Sequence, residues 1–297
     1  MPDIQMRFHR DMLVLSAPMD YSLEKQGVDL ERDMEYMSMI EPESFSDFYS
    51  LERVAGAVCL VARTGELTQA RLAHNRLQDR SEELVGIAIE AASALKPQHL
   101  ICEVASCQLP LDENSATSVK QTLAQYAQLA RCISPYNPDA ILIQAQRGAL
   151  DCSLALQAVK EQFSGPVMVC VHLSQEQEAL GVFPDEYLKA CSQAQVLGFE
   201  SGADPAVMCA IAQDLASKTQ LPILVQIRVR QATALEKRQA SLGAPVPTNP
   251  YPLPDSLAQL ALDLRACGVQ FLRAAGQATS AYTGVLSAVT DKLDCVR

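Results

Sequence analysis

The sequence predicts a single (β/α)₈ barrel, the TIM-barrel class, spanning all 297 residues. Short runs rich in Val, Ile and Leu alternate with longer amphipathic segments, and these runs lack the polar alternation of half-exposed strands. Such runs are typical of parallel strands that are buried on both faces. The intervening segments, about 20 to 40 residues long, are long enough for right-handed helical crossovers. Eight strand–helix alternations favour a closed barrel, and a doubly wound open sheet is the alternative.

The predicted strands follow the apolar runs in chain order. They are residues 13–16, 57–62, 100–105, 140–145, 167–173, 195–199, 223–229 and 269–274. Helices are predicted where a polar start or an N-terminal proline precedes apolar residues spaced three to four apart. These helices are residues 79–95, 116–133, 204–215, 255–265 and 279–293.

Two segments interrupt this alternation and are predicted to be long loops. Residues 20–50 are rich in Met and acidic side chains, and residues 230–254 contain five prolines. Both follow predicted strands, which places them at the carboxyl end of a barrel, where lids and binding loops are found. A solvated insertion or a subunit contact is an equal alternative. Within the first segment, the helical spacing of Met34 and Met37 favours core packing over a mobile lid that also includes Met39.

Composition excludes several classes of function. With 24 Lys and Arg against 35 Asp and Glu, the net charge of −11 leaves no surplus of cations for nucleic acid or an anionic membrane. No apolar run approaches the roughly 20 residues of a membrane helix, and the N-terminus lacks the features of a signal peptide. We therefore expect a cytoplasmic protein. Its 10 cysteines are scattered singly, which predicts reduced and mostly buried thiols.

Sequence motifs for phosphate loops, dinucleotide binding, nucleophile elbows and paired-histidine metal sites are missing. His172 is the histidine at the carboxyl end of a predicted strand. Cations and amides gather at the same predicted rim: Arg63, Gln144, Gln146, Arg147, Gln226, Arg228, Arg230 and Arg273. Guanidinium groups bind carboxylates or phosphates through forked hydrogen bonds, so a small anionic ligand is one interpretation. Pairing with Asp20, Glu66 and Glu200 within the protein is the other.

Short segments in serial order resemble the homocysteine S-methyltransferase family, which includes the homocysteine-binding barrel of cobalamin-dependent methionine synthase and betaine–homocysteine methyltransferase. The matching segments cover nearly the whole chain and are residues 15–19, 70–72, 79–84, 109–112, 138–143, 165–169, 197–198, 201–203 and 266–269. The resemblance implies a (β/α)₈ barrel in which three cysteine thiolates hold Zn²⁺, which activates the homocysteine thiol.

The residues that this resemblance assigns to zinc and substrate are replaced here. The three thiolate positions correspond to Ser201, Ala274 and Ala275, so we expect no zinc and predict no other cofactor. Two family carboxylates that would hold the amino group of the substrate correspond to Ser16 and Gln144. The resemblance therefore supports the fold better than the activity.

A rebuilt metal site is conceivable from residue types alone. Cys107, His172 and Glu200 end the third, fifth and sixth predicted strands, and each residue type ligates zinc. In the alternative, Cys107 packs in the core, His172 hydrogen-bonds a loop and Glu200 pairs with Arg273 or Arg228.

The sequence leaves two functions open. The first is a divergent methyltransferase-like barrel that acts on another small substrate, with a methyl donor that is a corrinoid partner protein or a small methylated amine or sulfur compound. The second is a non-catalytic barrel that serves as a ligand-binding or interaction module. Rim candidates for ligand binding in either case are Arg63, Gln144, His172, Glu200, Arg228 and Arg273.

Overall fold

Parallel strands form the centre of the molecule, and helices surround them. The computed structural model describes residues 3–144, 148–230, 233–242 and 250–297. Within these ranges the strands are β1 (Leu13–Val14), β2 (Cys59–Ala62), β3 (His99–Val104), β4 (Ala140–Gln144), β5 (Val167–His172), β6 (Val196–Ser201), β7 (Ile223–Val229) and β8 (Val269–Gly276). Each predicted strand is confirmed, with ends that differ by about two residues at most.

The sheet closes into a barrel. Its strand order is β1-β8-β7-β6-β5-β4-β3-β2, and all pairs are parallel. A parallel bridge between Leu15 and Cys59 joins the β1 and β2 edges. The predicted single-domain (β/α)₈ barrel is therefore confirmed, and the open doubly wound sheet is wrong.

Helices cross between successive strands. The α-helices of the described residues are α1 (Asp20–Glu24), α2 (Met34–Ile40), α3 (Pro42–Val54), α4 (Gln69–Leu72), α5 (Ser81–Ser93), α6 (Ala116–Ile133), α7 (Ala149–Gln162), α8 (Gln175–Leu180), α9 (Asp185–Ala190), α10 (Pro205–Lys218), α11 (Ala234–Ser241), α12 (Leu257–Ala266) and α13 (Ser280–Thr290). The five predicted helices are confirmed as α5, α6, α10, α12 and α13. None of the described helices is long and apolar enough to cross a membrane.

The prediction of a long loop over residues 20–50 is wrong, because this segment forms α1, α2 and most of α3. Pro42 occupies the first turn of α3, where its missing N–H costs nothing. Phe45, Phe48 and Tyr49 follow at helical spacing and are buried against the core. Met34 is fully buried as well, as its helical spacing indicated. Burial of these apolar side chains stabilises helices in a segment whose overall composition is polar.

The second predicted loop, residues 230–254, lies partly outside the described residues, which omit 231–232 and 243–249. Within its described part, Ala234–Ser241 is helical, and a 3₁₀ turn begins at Pro254. The rim candidates Gln146 and Arg147 also lie outside the described residues. All ten cysteines are free, and most of them are buried, as predicted.

Two apolar cores support the barrel. One fills the space between the strands and the surrounding helices. The other fills the barrel itself with inward-facing residues, among them Leu13, Val61, Leu142, Met168 and Phe271. Gly198 faces inward on β6, where a Cβ atom would lie 1.9 Å from the carbonyl oxygen of Leu224. Glycine at this position therefore permits the close approach of β6 and β7.

Candidate functional site at the carboxyl end of the barrel

The barrel interior changes from apolar to polar toward the carboxyl ends of its strands. Side chains two residues apart on a strand face the same side, so the residue two positions after an inward apolar residue also faces inward. At this level the strand ends carry Arg63, Glu103, Gln144, His172, Glu200, Gln226 and Arg273. Each of them lies two positions after an inward-facing residue, and in the same order these are Val61, Ile101, Leu142, Cys170, Gly198, Leu224 and Phe271. In barrels of this class this end carries the functional site.

Arg273 and Glu103 form a buried ion pair across the mouth. The side chain of Arg273 is only 1% exposed, and its Nη1 donates to Glu103 Oε1 at 2.5 Å. Its Nε donates to the carbonyl oxygen of Ser16 at 2.8 Å. Burial raises the pKa of the Glu103 carboxyl group, and the charge of Arg273 opposes that rise. Arg273 is therefore bound inside the protein and is not a solvent-facing rim cation.

Two glutamines join opposite sides of the mouth. Gln144 Nε2 donates to Gln226 Oε1 at 3.0 Å, and Gln226 Nε2 donates back to Gln144 Oε1 at 2.6 Å. Gln144 Nε2 also lies 3.2 Å from Glu200 Oε2. Because Gln226 is fully buried and Gln144 is half-buried, Gln144 presents the accessible side of this amide pair.

His172, Glu200 and Arg228 continue the network. Arg228 Nη1 lies 2.7 Å from His172 Nε2, and a guanidinium group can only donate, so Nε2 accepts and the proton of the neutral ring is on Nδ1. His172 Nδ1 faces Glu200 Oε1 at 3.5 Å. Arg228 Nη2 donates to Glu178 at 2.9 Å, and its Nε lies 3.8 Å from Glu200. With 40% of its side chain exposed, His172 is accessible from solvent.

Arg63 interacts with a different set of carboxylates. Its Nε donates to Asp20 at 2.7 Å, and its Nη2 donates to Glu66 at 3.0 Å. Its Nη1 lies 3.8 Å from Glu35 on α2. Asp20 and Glu35 come from the segment that was predicted to be a loop. The three arginines among the predicted ligand-binding candidates, Arg63, Arg228 and Arg273, thus have carboxylate partners within the protein. Glu200 lies near Arg228, which is one of its two predicted partners.

Solved structures with the same fold were found, whereas no family model matches the sequence and no curated protein is significantly similar to it. The homocysteine methyltransferase MmuM from Escherichia coli, in its oxidized form, superposes with a TM-score of 0.71 at 16% identity. The match covers 94% of this chain and 96% of that one. The metallated form of the same enzyme gives a TM-score of 0.68 with the same coverage. This chain and that enzyme share the (β/α)₈ barrel fold.

A second group of similar structures has a different activity in its name. The carboxyl transferase domain of Rhizobium etli pyruvate carboxylase, with pyruvate, matches with a TM-score of 0.52 at 12% identity. That match covers 92% of this chain but 42% of the other. Identities this low show the fold alone, because one barrel fold supports many reactions.

The residues at the three positions that the sequence resemblance assigns to thiolates do not fit a zinc ion. Strand register places Ser201 opposite Ile227 on β7, and Ile227 opposite Ala274 on β8, so these positions lie at one level of the barrel. Ser201 Oγ donates to Glu178 at 2.8 Å, and the side chains of Ala274 and Ala275 are buried methyl groups. Methyl groups cannot ligate zinc.

The rebuilt metal site is not assembled either. Within the described residues no three His, Cys, Asp or Glu side chains are arranged to hold a metal ion. His172 and Glu200 are neighbours, but Cys107 is buried, and its backbone N–H faces Tyr126 on α6. This arrangement agrees with the predicted alternative in which Cys107 packs in the core.

Ser16, which the sequence resemblance aligns with a substrate-binding carboxylate, holds two strands together here. The backbone N–H of Val61 donates to Ser16 Oγ at 2.9 Å, which ties β1 to β2. Sequence reasoning missed Glu103 and Glu178 among the residues of the mouth. Strand alternation from Ile101 could have identified Glu103, whereas Glu178 lies on α8 and carries no comparable signal.

Proposed function

We propose that this protein is a methyltransferase-like barrel that binds a small polar molecule at the carboxyl end and does not use a three-thiolate zinc centre. The observation that carries the proposal is the network of Gln144, Gln226, Glu200, His172 and Arg228. These side chains converge from four adjacent strands at the end where barrels of this class carry their sites. The homocysteine methyltransferase-like fold supports methyl transfer as the reaction class.

The contact between Arg228 and His172 indicates where a ligand would bind. Arg228 holds Glu178 by a charge-assisted hydrogen bond, but its Nη1 is paired with a neutral imidazole ring. A ligand carboxylate or phosphate would be a stronger acceptor for Nη1 than His172 is. Displacement would leave His172 Nε2 free to accept a proton from the ligand. An anionic group on the ligand is therefore part of this proposal.

The methyl donor in this proposal is a methylated corrinoid on a partner protein or a small methylated amine or sulfur compound. No step of the reaction is assigned to zinc, because the residues at its positions do not fit it.

A second candidate function is a non-catalytic binding or interaction module. The observation that favours it is the pairing of Arg63, Arg228 and Arg273 with carboxylates inside the protein. In that case the ion pairs of the polar mouth serve mainly to stabilise the barrel.

Replacing Arg228 with alanine tests the ligand site. We expect the variant to remain folded, with a loss of about 1 to 2 kcal/mol, because Glu178 keeps hydrogen bonds from Ser201 and Gly202. In thermal-shift measurements, small carboxylates and phosphates should raise the melting temperature of the wild-type protein and leave that of the variant unchanged. The matched control is Arg80→Ala, which removes an exposed i,i+3 ion pair with Glu83. Equal ligand shifts in wild type and Arg228→Ala would mean that Arg228 does not bind the anion, and the anionic ligand would have to be dropped from the proposal.

We expect the purified protein to carry no stoichiometric zinc. Ser201, Ala274 and Ala275 offer one hydroxyl group and two methyl groups where three thiolates would be needed. Elemental analysis by mass spectrometry after mild chelation measures the metal content directly. About one zinc per chain would contradict this expectation.

Homocysteine is expected to be neither methylated nor bound tightly. Without a metal its thiol keeps a pKa near 8.5, so only a few per cent is thiolate at neutral pH. Ser16 and Gln144 also carry no charge that could neutralise its ammonium group. Calorimetry tests binding independently of turnover, and micromolar affinity would refute this prediction.

A further inference from the structure

A groove of about 500 Å³ lies on the surface of residues 20–50, the segment that forms α1, α2 and most of α3. The apolar side chains that line it are those of Val28, Tyr36, Met37 and Ile40. Ile40 is 74% exposed, and Tyr36 is exposed as well. Exposed apolar side chains that gather in a concave site, rather than lying singly on the surface, are typical of a place where a partner binds.

The segment that carries the groove is strongly acidic. Residues 20–50 contain nine acidic and two basic side chains, so this segment has a net charge of −7 out of −11 for the whole chain. Asp33 and Glu41 are the acidic residues that line the groove itself. Asp33 lies 3.8 Å from the exposed Arg32, and no ion pair of the described residues involves Glu41. An occupant of this groove is therefore expected to combine apolar side chains with positive charge.

The helix α11 carries this combination on one face. Leu235, Arg238 and Leu242, which directly follows the helix, have the i, i+3, i+7 spacing of a single face. Leu235 is 64% exposed and Leu242 is 77% exposed, and Arg238 is exposed between them. Residues 230–242 contain three basic side chains and one acidic side chain, in a protein that is otherwise acidic. A helix of eight residues is marginal in water, so burial of its apolar face would stabilise it.

We infer that the groove binds α11 of a second copy of this chain. In that contact Leu235 and Leu242 pack on the apolar side chains of the groove, and Arg238 faces its acidic residues. A subunit contact is also one of the two interpretations that the sequence alone leaves open for both segments. The inference does not depend on the ligand proposed for the barrel mouth.

The positions of the two surfaces in the barrel favour a closed dimer. The groove belongs to the segment that follows β1, and α11 follows β7, so both begin at the carboxyl ends of strands. In the sheet only β8 lies between β1 and β7. In a twofold dimer each copy gives its α11 to the groove of the other, so the assembly contains this contact twice and leaves neither surface free for further copies.

Sedimentation velocity of the full chain at a series of micromolar concentrations tests this inference. We expect a reversible monomer–dimer equilibrium with no larger species. Ile40→Glu in the groove and Leu242→Glu beside α11 should each raise the dissociation constant about tenfold or more, because each places a carboxylate against apolar side chains. Both positions are exposed, so both variants should keep the circular dichroism spectrum of the wild type. Val54→Glu is the matched control, because Val54 is 82% exposed at the end of α3, outside the groove, and the change in charge is the same.

Mixing the two variants tests whether the groove and α11 contact each other. The Ile40→Glu protein keeps an intact α11 and the Leu242→Glu protein keeps an intact groove, so a mixed dimer retains one of the two contacts. We expect mixed dimers, detected by a fluorescent label on one variant, that are tighter than the dimers of either variant alone. The inference is overturned if the wild type stays monomeric, if both variants dimerise as the wild type does, or if Val54→Glu also abolishes the dimer. A mixture that associates no better than the separate variants would overturn it as well, because the two surfaces would then have other partners.

Discussion

Replacing Arg273 with alanine is expected to destabilise the protein by about 3 to 5 kcal/mol, the cost of removing one partner from a buried ion pair. The guanidinium group is 1% exposed and contacts Glu103 on β3 as well as the carbonyl oxygen of Ser16. Its removal leaves a buried carboxylate without its counter-ion and a backbone acceptor without its donor. Urea denaturation followed by circular dichroism measures the loss.

A double variant separates the charge effect from the loss of packing. Arg273→Met combined with Glu103→Gln removes both charges and keeps most of the side-chain volume. We expect this double variant to regain much of the lost stability. Breaking a buried pair is costly mainly because one charge is left without its partner, and the double variant leaves no such charge. If Arg273→Ala cost less than about 1 kcal/mol, the pair would behave as a solvent-exposed one. The sequence alone allowed both a ligand-facing Arg273 and one paired within the protein.

The strands were predictable because they are buried on both faces. Runs such as residues 140–144 and 223–229 are continuous, nearly apolar, β-branched segments with few alternative structures. The segment of residues 20–50 was misjudged because its average composition is polar. The buried apolar residues of α3, Phe45, Phe48 and Tyr49, are few, but they lie on one side of the helix, and their spacing matters more than the average composition.

The site was predictable in its positions but not in its partners. Gln144, His172, Glu200 and Arg228 end their strands, and parallel strands bring such ends together. The partner of Arg273 is Glu103, 170 residues away in sequence, and only barrel closure and register bring the two together. Glu178 reaches Arg228 from α8, a helix of six residues. Contacts of this kind depend on packing between distant segments, which local periodicity does not encode.

Glu52 on α3 is a buried acid whose charge opposes folding. Its Oε2 accepts from the backbone N–H of Ala17 at 2.8 Å and from Thr283 Oγ1 at 2.7 Å. Its Oε1 is buried and has no hydrogen-bond partner among the described residues. Burial raises the pKa of Glu52 from 4.5 to about 7, although these two hydrogen bonds oppose the rise.

The raised pKa makes stability depend on pH in a defined direction. Between pH 4.5 and about pH 7 the folded protein holds the Glu52 proton while the unfolded chain releases it. Stability therefore falls as pH rises through this window, by about 3 kcal/mol in total, and the Glu52 contribution is constant above it. The raised pKa of Glu103 acts in the same direction, so the contribution of Glu52 must be isolated by a variant.

Glu52→Gln is expected to stabilise the protein by about 2 to 3 kcal/mol at pH 8 and to have little effect at pH 5. Glutamine matches the protonated acid in shape and still accepts from Ala17 and Thr283, but it never carries the buried charge. The measurement is the free energy of urea unfolding for both proteins at pH 5, 6, 7 and 8. Glu90→Gln on α5, an exposed position, should reproduce the wild-type profile and so control for the loss of one acidic group. Two results would contradict this expectation: a variant that is less stable than wild type at pH 8, or a difference between the two proteins that does not change with pH. Either would mean that Glu52 stays ionised in the folded state and that the Ala17 and Thr283 donors stabilise its charge.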